Sequence, residues 1–231
     1  MNVVTIVFAS LVCLGLCVPA FAGSFEGVVT MKDTSDDGTT RQKTYFKGDK
    51  MRVDEREGDY MVWDAAKKEG FMVDSKKRTV VVMPWRDGKP EETEKMFEDM
   101  TVTKTGTSDK VAGYPCEIYL SKNQDDNSTG EICIAKGISN AAMYGLLLGD
   151  PSGRGGYPAW FRDIVKDGGF PLRSIDRDGS GEEESRTEAI KVEAQRLDDS
   201  LFAPPPGFKK TDRAELMQQL GDRTNRKSVG H

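Results

Sequence analysis

The chain's one histidine, His231, is also its last residue, and that placement limits its chemistry more than any motif it contains. A serine or cysteine nucleophile needs a base within hydrogen-bond reach, and zinc sites lean on imidazole. A Ser-His-Asp triad, a Cys-His pair and a histidine-ligated metal therefore find no imidazole inside the fold. Carboxylates are plentiful, as in Glu182-Glu183-Glu184 and Asp198-Asp199. Two acids at a fixed separation could run glycoside hydrolysis, but a solvated charge run is the plainer reading of such clusters. Asp176-Arg177-Asp178-Gly179-Ser180-Gly181 opens like a calcium loop, with oxygen ligands at alternate positions and glycine sixth. Its continuation fails, because Glu183 stands where an apolar residue pins such loops and Thr187 where a bidentate Glu closes them, so a solvated turn is expected. Methionines at 31, 51, 61, 72, 83, 96, 100 and 143 would suit Cu(I), yet they form no M-x-M run and read as adaptable apolar filling. The glycine-rich stretch 149–156 lacks the Lys-Ser/Thr pair of a phosphate-cradling loop and reads as a connection. Asn127-Ser128-Thr129 matches a glycosylation sequon, which here marks only an exposed tip. The sequence thus predicts no catalytic residue, no metal and no cofactor: a protein that is not an enzyme.

The four cysteines divide by position: Cys13 and Cys17 lie in an apolar run over residues 3–18, and Cys116 and Cys133 in the body of the chain. The run leads into Pro19-Ala20-Phe21-Ala22, an A-x-A cleavage pattern that predicts an exported protein, periplasmic or secreted, cut after Ala22. A membrane anchor is the competing reading, since the run approaches the roughly 17-residue minimum for a span. Pro19 and the A-x-A triplet favour cleavage. Lipidation of Cys13 or Cys17 is disfavoured by the bulky Val12 and Leu16 before them. In an oxidising compartment Cys116 and Cys133 are expected to form a disulfide, and their spacing lacks the C-x-x-C closeness of redox or metal pairs. A net charge of -5, with Lys and Arg scattered among acids, argues against nucleic acid, which selects a basic face.

The elements that must position these residues are short β-segments. Runs of β-branched, aromatic and Met residues predict strands over 25–31, 40–46, 50–54, 60–64, 70–74 and 79–83. The polar turns between them are too short for crossover helices, so an antiparallel meander is expected. Glu26, Arg41, Lys43, Arg52 and Asp54 suggest a wet face, and Val28, Tyr45, Met51, Val53, Met61 or Tyr60, and Trp63 an apolar one needing cover. Residues 95–97 could hold a short helix. A second β-region covers 100–104, 111–120 and 131–135. There Cys116, Ile118 and Leu120 share one parity, while Ile132 and Ile134 have the parity opposite to Cys133. A cross-strand bridge then needs a bulge or an asymmetric loop. Helices are expected over 138–148 and 160–166, and a final hairpin over 170–176 and 186–196.

Val111-Ala112-Gly113-Tyr114-Pro115-Cys116-Glu117-Ile118-Tyr119, with Gly130-Glu131-Ile132-Cys133-Ile134-Ala135, is the most distinctive part of the chain. Together with Phe25-Glu26-Gly27-Val28-Val29, Thr103-Lys104-Thr105-Gly106, Pro206-Gly207-Phe208 and the stretch from Tyr45 to Val53, it resembles the bacterial family catalogued as domain of unknown function 4412. That family is similar in outline to the LolA and LolB lipoprotein carriers, a half-open antiparallel barrel around helices and an apolar cavity. The resemblance implies architecture and supplies no catalytic residue, since fold alone does not carry function.

The expected fold is α+β, mostly antiparallel β: a curved meander or half-open barrel with two or three helices over its concave face. Residues 1–22 form the leader, 23–210 one domain, and 211–231 a short helix (214–220) and polar tail. The expected function is binding of a lipid, acyl chain or lipidated partner by Tyr45, Met51, Trp63, Met143, Leu147, Trp160 and Phe161. The rival expectation is a structural or protein-interaction module whose barrel its own side chains fill. No membrane span is expected after cleavage, and no nucleic-acid partner.

Overall fold

The computed structural model describes residues 25–84, 95, 97–139 and 157–212. The expected leader, most of the 138–148 helix with Met143 and Leu147, and the 214–220 helix lie outside the described residues.

The N-terminal meander forms as its alternating sequence dictates: β1 (Gly27–Ser35), β2 (Gly38–Lys47), β3 (Lys50–Asp54), β4 (Tyr60–Asp64), β5 (Glu69–Asp74) and β6 (Thr79–Pro84). A second run follows, β7 (Met100–Val111), β8 (Tyr114–Asn123) and β9 (Thr129–Ala135). Helix α1 (Ala159–Lys166), β10 (Phe170–Arg177), β11 (Glu183–Ala194) and β12 (Lys209–Asp212) complete the described chain. All twelve strands belong to one sheet, ordered β12-β6-β5-β4-β3-β2-β1-β11-β10-β9-β8-β7. The sheet is mixed, but only β12 runs parallel to its neighbour, β6. Pairing of β1 with β11 joins the two runs.

The sheet folds over itself without closing. Phe46 on β2 and Phe170 on β10 stand three places apart in strand order, roughly 14 Å on a flat sheet. Their ring centroids are 5.2 Å apart. Phe25 likewise reaches Phe46 and Tyr114. The concave side thus holds one core with Val29, Phe46, Met51, Cys116, Ile118, Cys133 and Leu172.

Register corrects the expected division of faces. Met51 pairs with Phe46 and Trp63, so all three point inward, whereas Tyr45 pairs with Val28 and Arg52 on the outer face. That outer face is not simply wet, because the chain from Gln195 to Phe208 crosses it as a strap. Leu197 and Phe202 of the strap bury Val28 and Val62. The Arg52 guanidinium lies 3.7 Å from the Tyr60 ring centre and donates to the Leu201 carbonyl at 3.1 Å. Lys47 donates to the Leu197 carbonyl at 2.6 Å.

Three further expectations change. Among the described residues α1 is the one α-helix whose range is described, beside two 3-10 turns (Arg56–Gly58 and Asp199–Phe202), and it packs on the outer side of β8 and β9, where helices over the concave face were expected. The expected strand over 111–120 is broken: β7 runs on to Val111, and Ala112 and Gly113, at φ 48° and 88°, form the turn into β8. Two successive positive φ values match the twist of a tight hairpin, and Ala is an unusual residue there. β12 was not expected at all; Lys209–Asp212 dock on β6 in parallel. No helix among the described residues is long and apolar enough to cross a membrane.

Candidate functional site

The β8–β9 hairpin shows how one stretch of sequence builds two different surfaces. Cys116 and Cys133 form the expected disulfide, with Cα atoms 5.3 Å apart. Cys133 pairs with Ile118 and not with Cys116, so the bridge runs diagonally between strands. The loop is offset from the midpoint of the two cysteines, which answers the parity conflict without a bulge in this pair. Cys116, Ile118, Cys133 and Ala135 then face the concave core, and Glu117, Tyr119, Ile132 and Ile134 face outward.

Helix α1 covers that outward stripe. It follows Pro158, and its Ile164 packs on Tyr119 and Ile134. Close approach at its C-terminal end requires Gly169, where an added Cβ would lie 2.7 Å from the Ile164 carbonyl oxygen and 2.9 Å from the Ile134 methyl. Two backbone hydrogen bonds, from Gly137 to the Asp167 carbonyl and from Ser139 to that of Gly168, fasten the helix end to the chain leaving β9.

Between α1, the outer faces of β7 and β8 and the chain leaving β9 lies a cleft of about 290 Å³, lined by Tyr119 and Trp160 with Lys104, Lys136, Asp163, Lys166 and Asp167 around them. Its charges are partly mutually engaged. Lys104 reaches Glu117 at 2.8 Å, and Lys136 bridges Glu117 at 3.5 Å and Asp167 at 3.0 Å. The hydrogen bond from Lys104 holds the Glu117 carboxyl below its usual range, and Lys136 adds to this. Lys136 does the same to Asp167 by hydrogen bond. In return, Glu117 raises Lys104, while Asp167 first and Glu117 second raise Lys136. Burial pushes the Tyr119 hydroxyl upward against the opposing Lys104 charge. Beside the cleft Phe97, Tyr157, Trp160 and Phe161 form an aromatic cluster, with Tyr157 stacked on Phe161 at 5.1 Å.

The described residues expected to hold a ligand do not converge on one site: Met51 and Trp63 meet in the core, Trp160 and Phe161 meet on α1, and Tyr45 stands apart from both. Met51 is 5% exposed within the concave core, and Trp63 packs against that core with its indole 3.1 Å from where a Gly70 Cβ would be. Tyr45 is on the opposite side, donating to Asp54 at 2.9 Å, and burial followed by that hydrogen bond pushes its pKa up to about 12. Trp160 and Phe161 stand on α1, over the other half of the sheet. Sequence reading missed Lys104, Tyr119, Lys136, Asp163, Lys166 and Asp167. The outward parity of Tyr119, Ile132 and Ile134 was the signal that a second apolar stripe needed a cover there.

The other chemical candidates are occupied by local structure. Asp178 accepts from the Ser180 and Glu182 amides and the Ser180 hydroxyl, and Asp176 accepts from Ser185, as a closed turn requires. Asp109 and Glu131 converge on the Arg173 guanidinium at 2.9 and 3.0 Å, so that carboxylate pair is tied to a cation. Among the described residues no cluster of three or more His, Cys, Asp or Glu could hold a metal ion.

None of the curated proteins matches the sequence. Solved structures do, at low identity. An uncharacterized conserved protein from Thermus thermophilus is 13% identical, over 82% of this chain and 91% of that one, with a TM-score of 0.48. MucB, from the Pseudomonas aeruginosa MucA/MucB complex, is 14% identical over 78% of this chain and 55% of its own, with a TM-score of 0.45, so the match spans about half of that protein. A putative outer membrane lipoprotein-sorting protein domain from Vibrio parahaemolyticus is 8% identical over 78% and 90%, with a TM-score of 0.30. Residues 25–208, nearly the whole described span, match the family model entitled Domain of unknown function (DUF4412), and the chain belongs to that family.

Proposed function

We propose that this protein is a non-enzymatic component of the cell envelope, a binding module whose barrel-like interior is filled by its own side chains and whose recognition surface is the outer face beside α1. The observation that carries this reading is the mutual packing of inward rings: Phe25 on Phe46 and Tyr114, and Phe46 on Phe170. Side chains already in van der Waals contact leave that part of the concave face no room for an acyl chain. Export is supported by the buried disulfide, which suits an oxidising compartment, and by the A-x-A pattern before Gly23. A non-catalytic role is supported by the pairing of Asp109 and Glu131 with Arg173, and of Glu117 with lysines.

A second reading keeps the lipid or acyl chain inside. It is favoured by Met31 and Met51 on the concave side, whose flexible thioethers could repack around an apolar guest. Native mass spectrometry of gently purified mature protein separates the two. A ligand-free spectrum with no uptake from added phospholipid is expected, and a stoichiometric lipid adduct lost in a Met51→Trp variant would replace the first reading by the second.

A further inference from the structure

Resting on the reading of the α1 face as a recognition surface, we propose that its cleft is a subsite for one ring of a neutral saccharide. A cleft of about 290 Å³ lies at the small end of ligand sites, which run roughly from 300 to 1,000 Å³, so it suits a single ring and not an extended chain. Half-buried Trp160 offers a flat, amphipathic surface there, and the small exposed part of Tyr119, 7% of the residue, adjoins it. A pyranose has a matching shape, with an apolar C–H face to lay on an aromatic ring and a rim of hydroxyls.

The polar groups select among ligands by sign. Lys104 and Lys136 are engaged by Glu117 and Asp167. Asp163 and Lys166 also line the cleft, exposed and one turn apart on α1. A phosphate or carboxylate would gain Lys166 but meet Asp163, and an ammonium ligand would meet the reverse. A hydroxyl escapes this conflict, because it donates to a carboxylate and accepts from an ammonium. An aliphatic chain is disfavoured on other grounds, since it would strip water from charged groups without replacing their hydrogen bonds.

Saturation-transfer NMR on the intact mature chain, with N,N′-diacetylchitobiose and maltose as probes, tests this alongside inorganic phosphate and phosphatidylglycerol vesicles. Transfer to the sugar C–H protons and shifts of the α1 amides are expected for at least one disaccharide. Trp160→Ala should weaken affinity by roughly tenfold or more, as loss of a buried aromatic anchor does. Asp163→Asn and Lys166→Gln, both on the exposed side of α1, should each weaken it about threefold or more while leaving the fold intact. Raising salt from 0.05 to 0.5 M should change affinity by less than about twofold, because no net charge is neutralised. Absence of disaccharide binding overturns the proposal, as does binding unaffected by all three substitutions. Competition by phosphate together with steep salt dependence would make the cleft an anion site and overturns it too. If vesicles or phosphate alone move the α1 amides, the saccharide falls and the α1 recognition surface stands. If nothing moves them and lipid is found in the core, both fall.

Discussion

Strands β8 and β9 present two faces that share a backbone and differ in kind. Their inward residues Cys116, Ile118, Cys133 and Ala135 are buried among apolar neighbours and carry a covalent link. Their outward residues Glu117, Tyr119 and Ile134 meet a short amphipathic helix and a set of lysines; Tyr119 and Ile134 are buried beneath that helix, and Glu117 at its margin is half-buried. Alternation along a strand is what permits this, since neighbouring side chains point to opposite sides. The inner face is specified by packing density and tolerates little. The outer face is held by a two-turn helix and exposed ion pairs, which contribute modestly and leave room for recognition.

Substitutions of matched size give the sharpest contrast. Leu172, fully buried inside, should cost about 4 kcal/mol on replacement by alanine, from lost transfer free energy and the cavity left behind. A urea midpoint shifted down with an unchanged slope would register this as global destabilisation. Breaking the bridge with Cys116→Ala and Cys133→Ala together should cost about 3 kcal/mol, the chain-entropy value for a loop of this length. Ile164→Ala on α1 should cost about 2 kcal/mol, at the low end for isoleucine, because the helix can settle into the space. Hydrogen exchange should then rise in α1 well before β1 and β11. Equal losses for Leu172 and Ile164, with simultaneous exchange everywhere, would erase the distinction between the faces.

The legibility of the molecule follows the same division. Strands β3 and β4 were readable to the residue, since polar turns with Gly48 and Gly58 bracket alternating apolar runs. The turn at Ala112-Gly113 was not, because alanine at positive φ breaks the usual turn signature. Face assignment failed at Tyr45, where an aromatic ring invited placement with Met51 although alternation put it with Arg41 and Lys43. Its partners are a stacked arginine and a strap some 150 residues later in the chain, and no local pattern reports such contacts. The disulfide was legible from cysteine arithmetic, whereas the parity of Ile132 and Ile134 signalled only that a bulge or an asymmetric loop was needed, and the structure takes the offset loop. The cleft was legible only as a helix with Trp160 and Phe161. Lys104, Lys136 and Asp167 come from three separate segments that tertiary folding alone brings together.

Acid should loosen the outer face selectively, and this is the smallest effect expected. Glu117 and Asp167 have folded-state pKa values below their ordinary 4.5 and 3.8. A depressed carboxylate stabilises fully above its unfolded pKa, and that contribution is lost as pH falls through the folded value. Nothing should change between pH 7 and 5.5, and α1 exchange should begin to accelerate below about pH 4.5. Lys104 and Lys136 are shifted upward from 10.5, so their share is intact throughout this acid range and fades only as alkaline pH passes above that value. Glu117→Gln should flatten much of the acid response of the α1 amides, because a neutral amide has no proton to take up there. Asp109 is also depressed, by the Lys110 amide and then by Arg173, but it sits on the concave side and does not touch α1. An α1 acid response of undiminished size in Glu117→Gln would show that the helix is held by its apolar contacts with Tyr119 and Ile134, with the lysine network contributing nothing to its attachment.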